Sequence, residues 1–345
     1  MRCVDPSTQK RCINLSVSGT IISTMTLNND QSLVSESRPI RIVEPYAHTR
    51  HVKIPSSFEG MSLIDFLCER YAYRSQEYWI ERVHSGDVRI QGSELSQPQD
   101  ELKKASAVTF FTQRVVEPTV PDEVRIVDEG DGWVAVDKPA PMPVHPGGRY
   151  FKNTCLSIIE ERLNRKIYPV HRLDAVTSGL VMFATDEKMA SIMTQALAEG
   201  LVEKEYKAHV FGCVETQEQT VKLPIRRKTG FVFETIQPGT DDKAPLLESK
   251  GRGSLKEAQT LIRLLDKGDA TSLVACTPLT GRTHQIRLHC QAMGHPIIDD
   301  PIYGPDGDAT GQTLQNGAIR LQHSSMRWPS LGISLSLPLP SGWKV

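Results

Sequence analysis

Residues 171–179 read His-Arg-Leu-Asp-Ala-Val-Thr-Ser-Gly, a charged segment between two short apolar runs. The run before it covers residues 166–170, and the run after it reads Leu-Val-Met-Phe-Ala at residues 180–184. Both runs are rich in residues that favour strands, so the pattern predicts two buried strands joined by a charged loop. Loops on a rigid scaffold often hold binding and catalytic residues. Taken by itself, however, an Arg-x-Asp pair is more often an ordinary turn with an ion pair.

The composition is that of a globular protein long enough for two domains. The chain has 345 residues, of which 39% are hydrophobic and 23% charged, and its net charge is −1. No apolar run approaches the roughly eighteen residues of a membrane span. Seven scattered cysteines without a CxxC pair argue against a disulfide framework or a zinc site. We therefore expect a cytoplasmic protein, with organellar targeting as the alternative, and any RNA contact must come from a local basic surface.

Two later segments carry further candidate residues. Residues 204–212 read Lys-Glu-Tyr-Lys-Ala-His-Val-Phe-Gly, and they predict a strand with Lys204 and Tyr206 on one face. Residues 280–289 read Thr-Gly-Arg-Thr-His-Gln-Ile-Arg-Leu-His, in which Thr283 is predicted to cap a helix. That helix would place His284 and Arg287 on the face opposite its core-facing residues.

These three segments resemble the signature motifs of the RluA-type RNA pseudouridine synthases. They match the patterns HRLDxxTSG, KxYxAxVxG and GRTHQIRxH at every fixed position. Residues 294–304 resemble a fourth motif, GxPIxGDxxYG, with Asp299 in place of the usual glycine. If that position needs a positive φ, aspartate meets the need better than most residues. An aspartate here is similar to the eukaryotic-type tRNA-modifying branch of the family.

The resemblance implies specific roles for named residues. Asp174 would be the catalytic carboxylate, acting as nucleophile or base, with Tyr206 stacked on the uracil and Arg287 in an ion pair with Asp174. Arg172 would fill the base stack after the target uridine is flipped out. The expected substrate-binding residues are His171, Arg172, Thr177, Lys138, Arg282 and His284. The implied reaction is a redox-neutral isomerisation, so we expect no cofactor, no nucleotide and no metal.

The expected fold is α+β, with a mixed, mainly antiparallel sheet of the pseudouridine synthase type over residues 116–345. Residues 116–121 read as a proline-punctuated linker, and residues 226–253 as a mobile hairpin or loop over the RNA face. Residues 43–115, two helices and a short strand, resemble a small S4-like RNA-binding module. Its phosphate contacts would be Arg70, Arg74, Arg82 and Arg89. We expect residues 1–42 to be a disordered extension.

Two other functions remain compatible with the sequence. One is a non-catalytic RNA-binding protein that retains the synthase fold, although Asp174, Tyr206 and Arg287 are all present. The other is a glycosidase, which needs a second carboxylate such as Asp299 or Asp300. For the synthase, the partner is a structured RNA, tRNA or rRNA, and the protein is expected to be a monomer that binds no membrane.

Overall fold

A computed structural model describes residues 39–237, 254–307 and 317–343. Residues 1–38 of the expected disordered extension, and residues 238–253 of the expected mobile segment, lie outside the described residues. Within the described ranges, no helix has both the length and the apolar character needed to cross a bilayer.

The N-terminal module has the predicted pair of helices followed by a strand. Its elements are β1 (Ile40–Arg41), β2 (Tyr46–Lys53), α1 (Leu63–Arg70), α2 (Gln76–His84), β3 (Val88–Ile90) and β4 (Ala107–Val115). Ser62 and Ser75 cap the two helices by accepting backbone N–H groups at their third positions. Strands β2, β4 and β3 form a small antiparallel sheet, and the helices pack on it through a core that includes Phe66, Leu67 and Trp79. Its assignment as an S4-type module stays a prediction.

The junction between this module and the rest of the chain is more structured than the sequence indicates. Ile40–Arg41 fall inside the expected disordered extension, yet they pair with β5 (Val120–Pro121) inside the expected linker. Glu117, also in that linker, is only 6% exposed. Its carboxylate accepts the backbone N–H groups of residues 151–153 and the phenol of Tyr46. The expectation that residues 40–41 are disordered is therefore wrong, because they pair with β5. The same pairing and the bonds of Glu117 hold the predicted linker in place.

The remaining elements build one large sheet with helices on both sides. They are β6 (Arg125–Gly130), β7 (Trp133–Lys138), α3 (Cys155–Leu163), β8 (Tyr168–Pro169), β9 (Ser178–Ala184), α4 (Glu187–Ala198), β10 (Glu203–Phe211), β11 (Glu218–Lys222), β12 (Ile225–Thr229), β13 (Val232–Thr235), β14 (Gln259–Lys267), β15 (Thr271–Pro278), α5 (Gln285–Ala292), β16 (Leu321–Trp328) and β17 (Ile333–Ser336).

Among the described residues the sheet runs in the order β11-β14-β15-β10-β16-β9-β7-β6, with β17 added to β16 and β8 added to β9. All its pairs are antiparallel except β16 with β9. The predicted mixed, mainly antiparallel α+β fold is thus confirmed. The predicted hairpin of β6 and β7, and the predicted strand β10, are also present.

Strand β9 lies in the middle of the sheet and is buried on both faces. Val181 and Phe183 pack in the core that contains α3, whereas Leu180 and Met182 pack in the core that contains α4. This alternation is the period of two expected of a strand. Tyr206 packs against the α3 core and also against a third core that contains Ile286 of α5. The loop before β9 therefore emerges where α5 and β10 meet.

Candidate active site

Residues 171–177 form a tight loop between β8 and β9, and residues 178–179 begin β9. The backbone N–H of Thr177 donates to the carbonyl oxygen of Asp174 at 3.0 Å and closes the turn. Gly179 follows with a φ of +113°, and a Cβ there would lie 2.4 Å from the carbonyl oxygen of His323. Only glycine permits both the dihedral and the close approach of the two strands. The loop holds the Asp174 side chain about one-fifth exposed, at the surface of a packed core.

Two basic side chains face the Asp174 carboxylate. Nη1 of Arg287 lies 3.4 Å from Oδ2 of Asp174, and Nε2 of His284 lies 3.8 Å from the same oxygen. Burial lowers the pKa of His284 to about 4, although the negative charge of Asp174 acts in the opposite direction. The ring is therefore neutral at pH 7, and the guanidinium is the permanent positive charge beside Asp174.

The principal partner of Arg287 is Asp300 rather than Asp174. The Nε and Nη2 atoms of Arg287 donate to the two carboxylate oxygens of Asp300, each at 2.7 Å. Asp300 also accepts the backbone N–H groups of Ile302 and Tyr303. Burial alone would raise the pKa of Asp300, but the Arg287 bonds and charge hold it below its ordinary value. Asp300 thus fixes the guanidinium, and the third donor of that guanidinium points to Asp174.

Among the described residues, neither neighbouring carboxylate is free to act with Asp174. The Asp300 side chain has no exposure, and both of its oxygens accept hydrogen bonds from Arg287. Asp299 is exposed and pairs with Arg320 at 3.2 Å. A glycosidase needs its second carboxylate free to move a proton or activate water. Neither neighbour meets that requirement, so the geometry argues against the glycosidase reading.

Tyr206 lies beside Asp174 with its hydroxyl free of hydrogen bonds in the described part of the chain. Burial raises the pKa of its phenol, and the negative charge of Asp174 raises it further. One face of its ring stacks on His323, with centroids 4.5 Å apart and planes 14° from parallel. The His323 ring is wholly buried, and its Nδ1 bonds the carbonyl oxygen of Leu180 at 2.7 Å. His323 therefore fixes the orientation of the Tyr206 ring, a contact that sequence analysis missed.

Lys138 and His171 lie beneath the loop rather than on its open side. The Lys138 side chain has no exposure, and its Nζ donates to the carbonyl oxygens of Pro139, Met142 and Ala175. Burial lowers its pKa to about 8. Nε2 of His171 accepts the backbone N–H of Met182 at 3.0 Å. These bonds hold the loop in place, and they argue against the expected direct substrate contact by either residue.

The other expected substrate-binding residues lie in three different settings. Arg172 is exposed on the loop, and its guanidinium has no hydrogen-bond partner among the described residues. Thr177 is 2% exposed and is covered by the fold, which argues against substrate contact. Arg282 is exposed, with its Nε bonded to the carbonyl oxygen of Glu257. His284 lies between Asp174 and Tyr303, whose hydroxyl is 2.8 Å from Nδ1 of His284.

The start of α5 differs from the prediction. The residue that precedes the helix is His284, with a φ of +57°, and no side chain caps the first turn. The prediction of Thr283 as the cap is therefore wrong. The left-handed backbone turns the His284 ring toward Asp174, and the Thr280 hydroxyl instead bonds the side chain of Gln285. Asp299 does adopt a positive φ, +65°, at the place where the motif usually has glycine.

The four arginines of the N-terminal module are held differently. Arg82 pairs with Asp87 at 3.2 Å and donates to the carbonyl oxygen of Phe111, so it serves the module itself. The Nε atom of Arg70 is buried without a partner. Arg74 is exposed and lies over the ring of Tyr78, and Arg89 is exposed with one long bond to the Glu94 backbone. None of the four contacts the Asp174 loop within the described ranges.

The buried histidines predict a loss of stability in acid. Burial lowers the pKa of His323 to about 4, as it does for His284, and lowers that of His171 well below its ordinary value. Unfolding returns each ring to about 6.5. The unfolded chain then binds more protons between pH 6.5 and 4, so the free energy of unfolding falls as the pH drops through this window.

We expect a loss of about 1–2 kcal/mol per histidine between pH 7 and pH 5, measured by urea unfolding. Carboxylates contribute only nearer pH 4, so the interval isolates the histidines. A free energy of unfolding that stays constant from pH 7 to pH 5 would contradict this prediction.

Comparisons with known proteins agree with the fold and the motifs. The family model described as RNA pseudouridylate synthase matches residues 132–292. The tRNA pseudouridine(32) synthase, mitochondrial, of Saccharomyces cerevisiae is 32% identical over 280 residues, which are 81% of this chain and 58% of the yeast protein. The RNA pseudouridine synthase 7 of Arabidopsis thaliana is 34% identical over 267 residues, 76% of this chain and 65% of the plant protein.

A solved structure described as human RNA Pseudouridylate Synthase Domain Containing 1 has the same fold. It aligns with a TM-score of 0.51 at 24% identity, covering 65% of this chain and 86% of the human chain. Over most of its length the chain is therefore similar to RNA pseudouridine synthases. It spans less than two thirds of the length of the yeast and plant relatives.

Proposed function

We propose that this protein isomerises uridine to pseudouridine within a structured RNA, with Asp174 as the catalytic carboxylate. One observation carries the proposal: the Asp174 carboxylate is one-fifth exposed, 3.4 Å from a guanidinium that is itself fixed by Asp300. A carboxylate placed at the surface beside one fixed cation is poised for nucleophilic or base chemistry.

The proposed roles follow from the placement of each side chain. The target base must leave the helical stack to reach Asp174, since a paired base is inaccessible. Arg172 is exposed beside Asp174, and its planar guanidinium would replace the missing base by stacking. The reaction breaks the N1–C1′ bond, joins C5 to C1′, releases the C5 proton and returns a proton to N1. Tyr206 supplies a flat ring and a free hydroxyl next to the carboxylate for these steps.

We propose tRNA or rRNA as the substrate, and tRNA is the first to test. The name of the yeast relative specifies tRNA, and Asp299 departs from the usual glycine in the manner of the tRNA-modifying branch. The test uses tRNA and rRNA transcripts labelled with tritium at uridine C5, because each isomerisation releases that hydrogen to water.

Release of tritium by the purified protein, with pseudouridine mapped at defined positions, would support the proposal. The competing function is RNA binding without chemistry. It predicts binding of the same transcripts with no release of tritium from any of them.

The N-terminal module is proposed to supply RNA affinity without chemistry. Changing both Arg74 and Arg89 to glutamine should raise the KM for RNA and leave kcat nearly unchanged. Each lost phosphate contact should also reduce the slope of log affinity against log salt by about 0.7 to 0.9. Lys188→Gln, an exposed change on α4, serves as the control. A fall in kcat at saturating RNA, or a KM equal to that of the control, would contradict this role.

A further inference from the structure

Beside the Asp174 site lies a groove beneath the β12–β13 hairpin. This hairpin groove is lined by Arg227, Phe233, Ser254, Lys256, Gly281 and Arg282. The proposed isomerisation does not use it. The hairpin is an antiparallel pair with a register shift between Arg227 and Thr229, and Arg227 pairs with Phe233.

The hairpin groove is joined to the catalytic site by direct contacts. The backbone N–H of Phe233 donates to the Tyr303 hydroxyl at 3.0 Å, and the Phe233 ring meets the His284 ring at 5.3 Å between centroids. His284 is in turn the residue whose Nε2 lies 3.8 Å from Asp174. The groove therefore begins one side chain away from the proposed reacting carboxylate.

The charges of the groove favour a phosphodiester. The Arg227 guanidinium lies 5.1 Å from the centroid of the Phe233 ring. Lys256, whose backbone pairs with Ile225 of β12, and Arg282 are both exposed. Within the Arg282 guanidinium, only Nε donates a hydrogen bond among the described residues. The other N–H groups of this guanidinium are therefore available to an anion. The exposed Glu257 offsets one of these three positive charges and leaves the groove cationic. Clustered cations of this kind are the usual contacts of phosphate groups.

An exposed aromatic residue completes the arrangement. Phe231 lies at the turn of the hairpin, next to β13, and is 70% exposed. Leaving such a ring in water is unfavourable, and it packs in none of the hydrophobic clusters of the described chain. Aromatic side chains beside a cationic groove are the standard means of stacking unpaired bases. Phe231 could therefore stack on a base, and the cationic groove could bind the phosphate of the same nucleotide.

We propose that the hairpin groove binds an unpaired nucleotide of the substrate RNA adjacent to the target uridine. The base stacks on Phe231, and the phosphate lies against Arg227, Lys256 and Arg282. This inference rests on the proposed function, since it places the nucleotide in the same RNA that delivers uridine to Asp174. A free nucleotide has the same phosphate chemistry, so the experiment must distinguish the two sources.

The test measures binding of a single-stranded uridine decamer that carries one 2-aminopurine, by fluorescence anisotropy and by quenching of the 2-aminopurine. Phe231→Ser should weaken binding about tenfold and abolish the quenching, because one base stack is lost. Arg227→Gln should weaken binding and reduce the salt dependence. Phe211→Ser and Lys188→Gln are matched controls, since Phe211 is exposed at the far end of β10 and Lys188 lies on α4.

Decamer affinities of Phe231→Ser and Arg227→Gln equal to those of the controls would overturn the proposal. Uridine monophosphate that competes as well as the unlabelled decamer would also overturn it, in favour of a free nucleotide. The decamer assay measures binding and requires no turnover. Failure of the proposed function would instead appear as no tritium release by the wild-type protein, whatever the decamer affinities.

Discussion

Replacing Asp174 by asparagine will lower the rate of pseudouridine formation by at least a factor of about 10², because a group that acts as base or nucleophile normally supplies at least that much. Asparagine has nearly the same shape and can accept from Arg287, but it lacks the charge and the basicity. The rate is measured as tritium release at saturating RNA. The fold should survive, since the Asp174 side chain is partly exposed and its contacts with Arg287 and His284, at 3.4 and 3.8 Å, are both long.

Two controls separate loss of chemistry from loss of structure. RNA affinity and the urea midpoint of Asp174→Asn should stay close to those of the wild-type protein. Asp299→Asn changes an exposed carboxylate in the same region and should retain activity. More than about a hundredth of the wild-type rate in Asp174→Asn would refute the proposed role of this carboxylate.

Replacing Arg287 by alanine will damage both stability and activity. The change strands the buried Asp300 carboxylate, whose two oxygens each accept from Arg287 at 2.7 Å. Removing one partner of a buried pair costs about 3–5 kcal/mol, because the other charge stays buried without compensation. Asp174 also loses the guanidinium that lies 3.4 Å from it. We expect both a lower urea midpoint and a lower kcat at temperatures where the variant is folded.

Arg327→Ala is the matched control for this experiment. Arg327 pairs with Glu203 at 3.0 Å, but both side chains are 62% exposed. Such surface pairs contribute about 0–1 kcal/mol. If Arg287→Ala costs no more than Arg327→Ala, then the Arg287–Asp300 pair does not stabilise this fold and the description of the site is wrong.

The motif loop illustrates what the sequence can predict. Its flanks are short, apolar and rich in strand-forming residues, so local patterning alone indicates two strands and a turn at residues 171–179. The β6–β7 hairpin was predictable for the same reason. The placement of Asp174 near Arg287 came instead from the family resemblance, since 113 residues separate the two side chains that meet in the structure.

Sequence analysis missed contacts for which the chain offers several chemically equivalent partners. Asp174 and Asp300 are both carboxylates near Arg287, and only the packing of residues 300–303 against α5 shows that Asp300 takes the bidentate position. The expectation that Lys138 binds substrate came from the family resemblance, yet its Nζ donates to three backbone carbonyl oxygens in the interior. Glu117 in the expected linker is held by backbone N–H groups that no local pattern reveals.

The central claim is that this chain isomerises uridine at Asp174, and a single-turnover assay tests it most directly. Wild-type protein in excess is mixed with tRNA or rRNA transcripts tritiated at uridine C5, and released tritium is followed alongside a pseudouridine map. We expect one tritium released for each mapped pseudouridine, with no detectable release by Asp174→Asn at the same bound fraction. Equal release by wild type and Asp174→Asn, or none by folded wild type that binds the RNA, would contradict it.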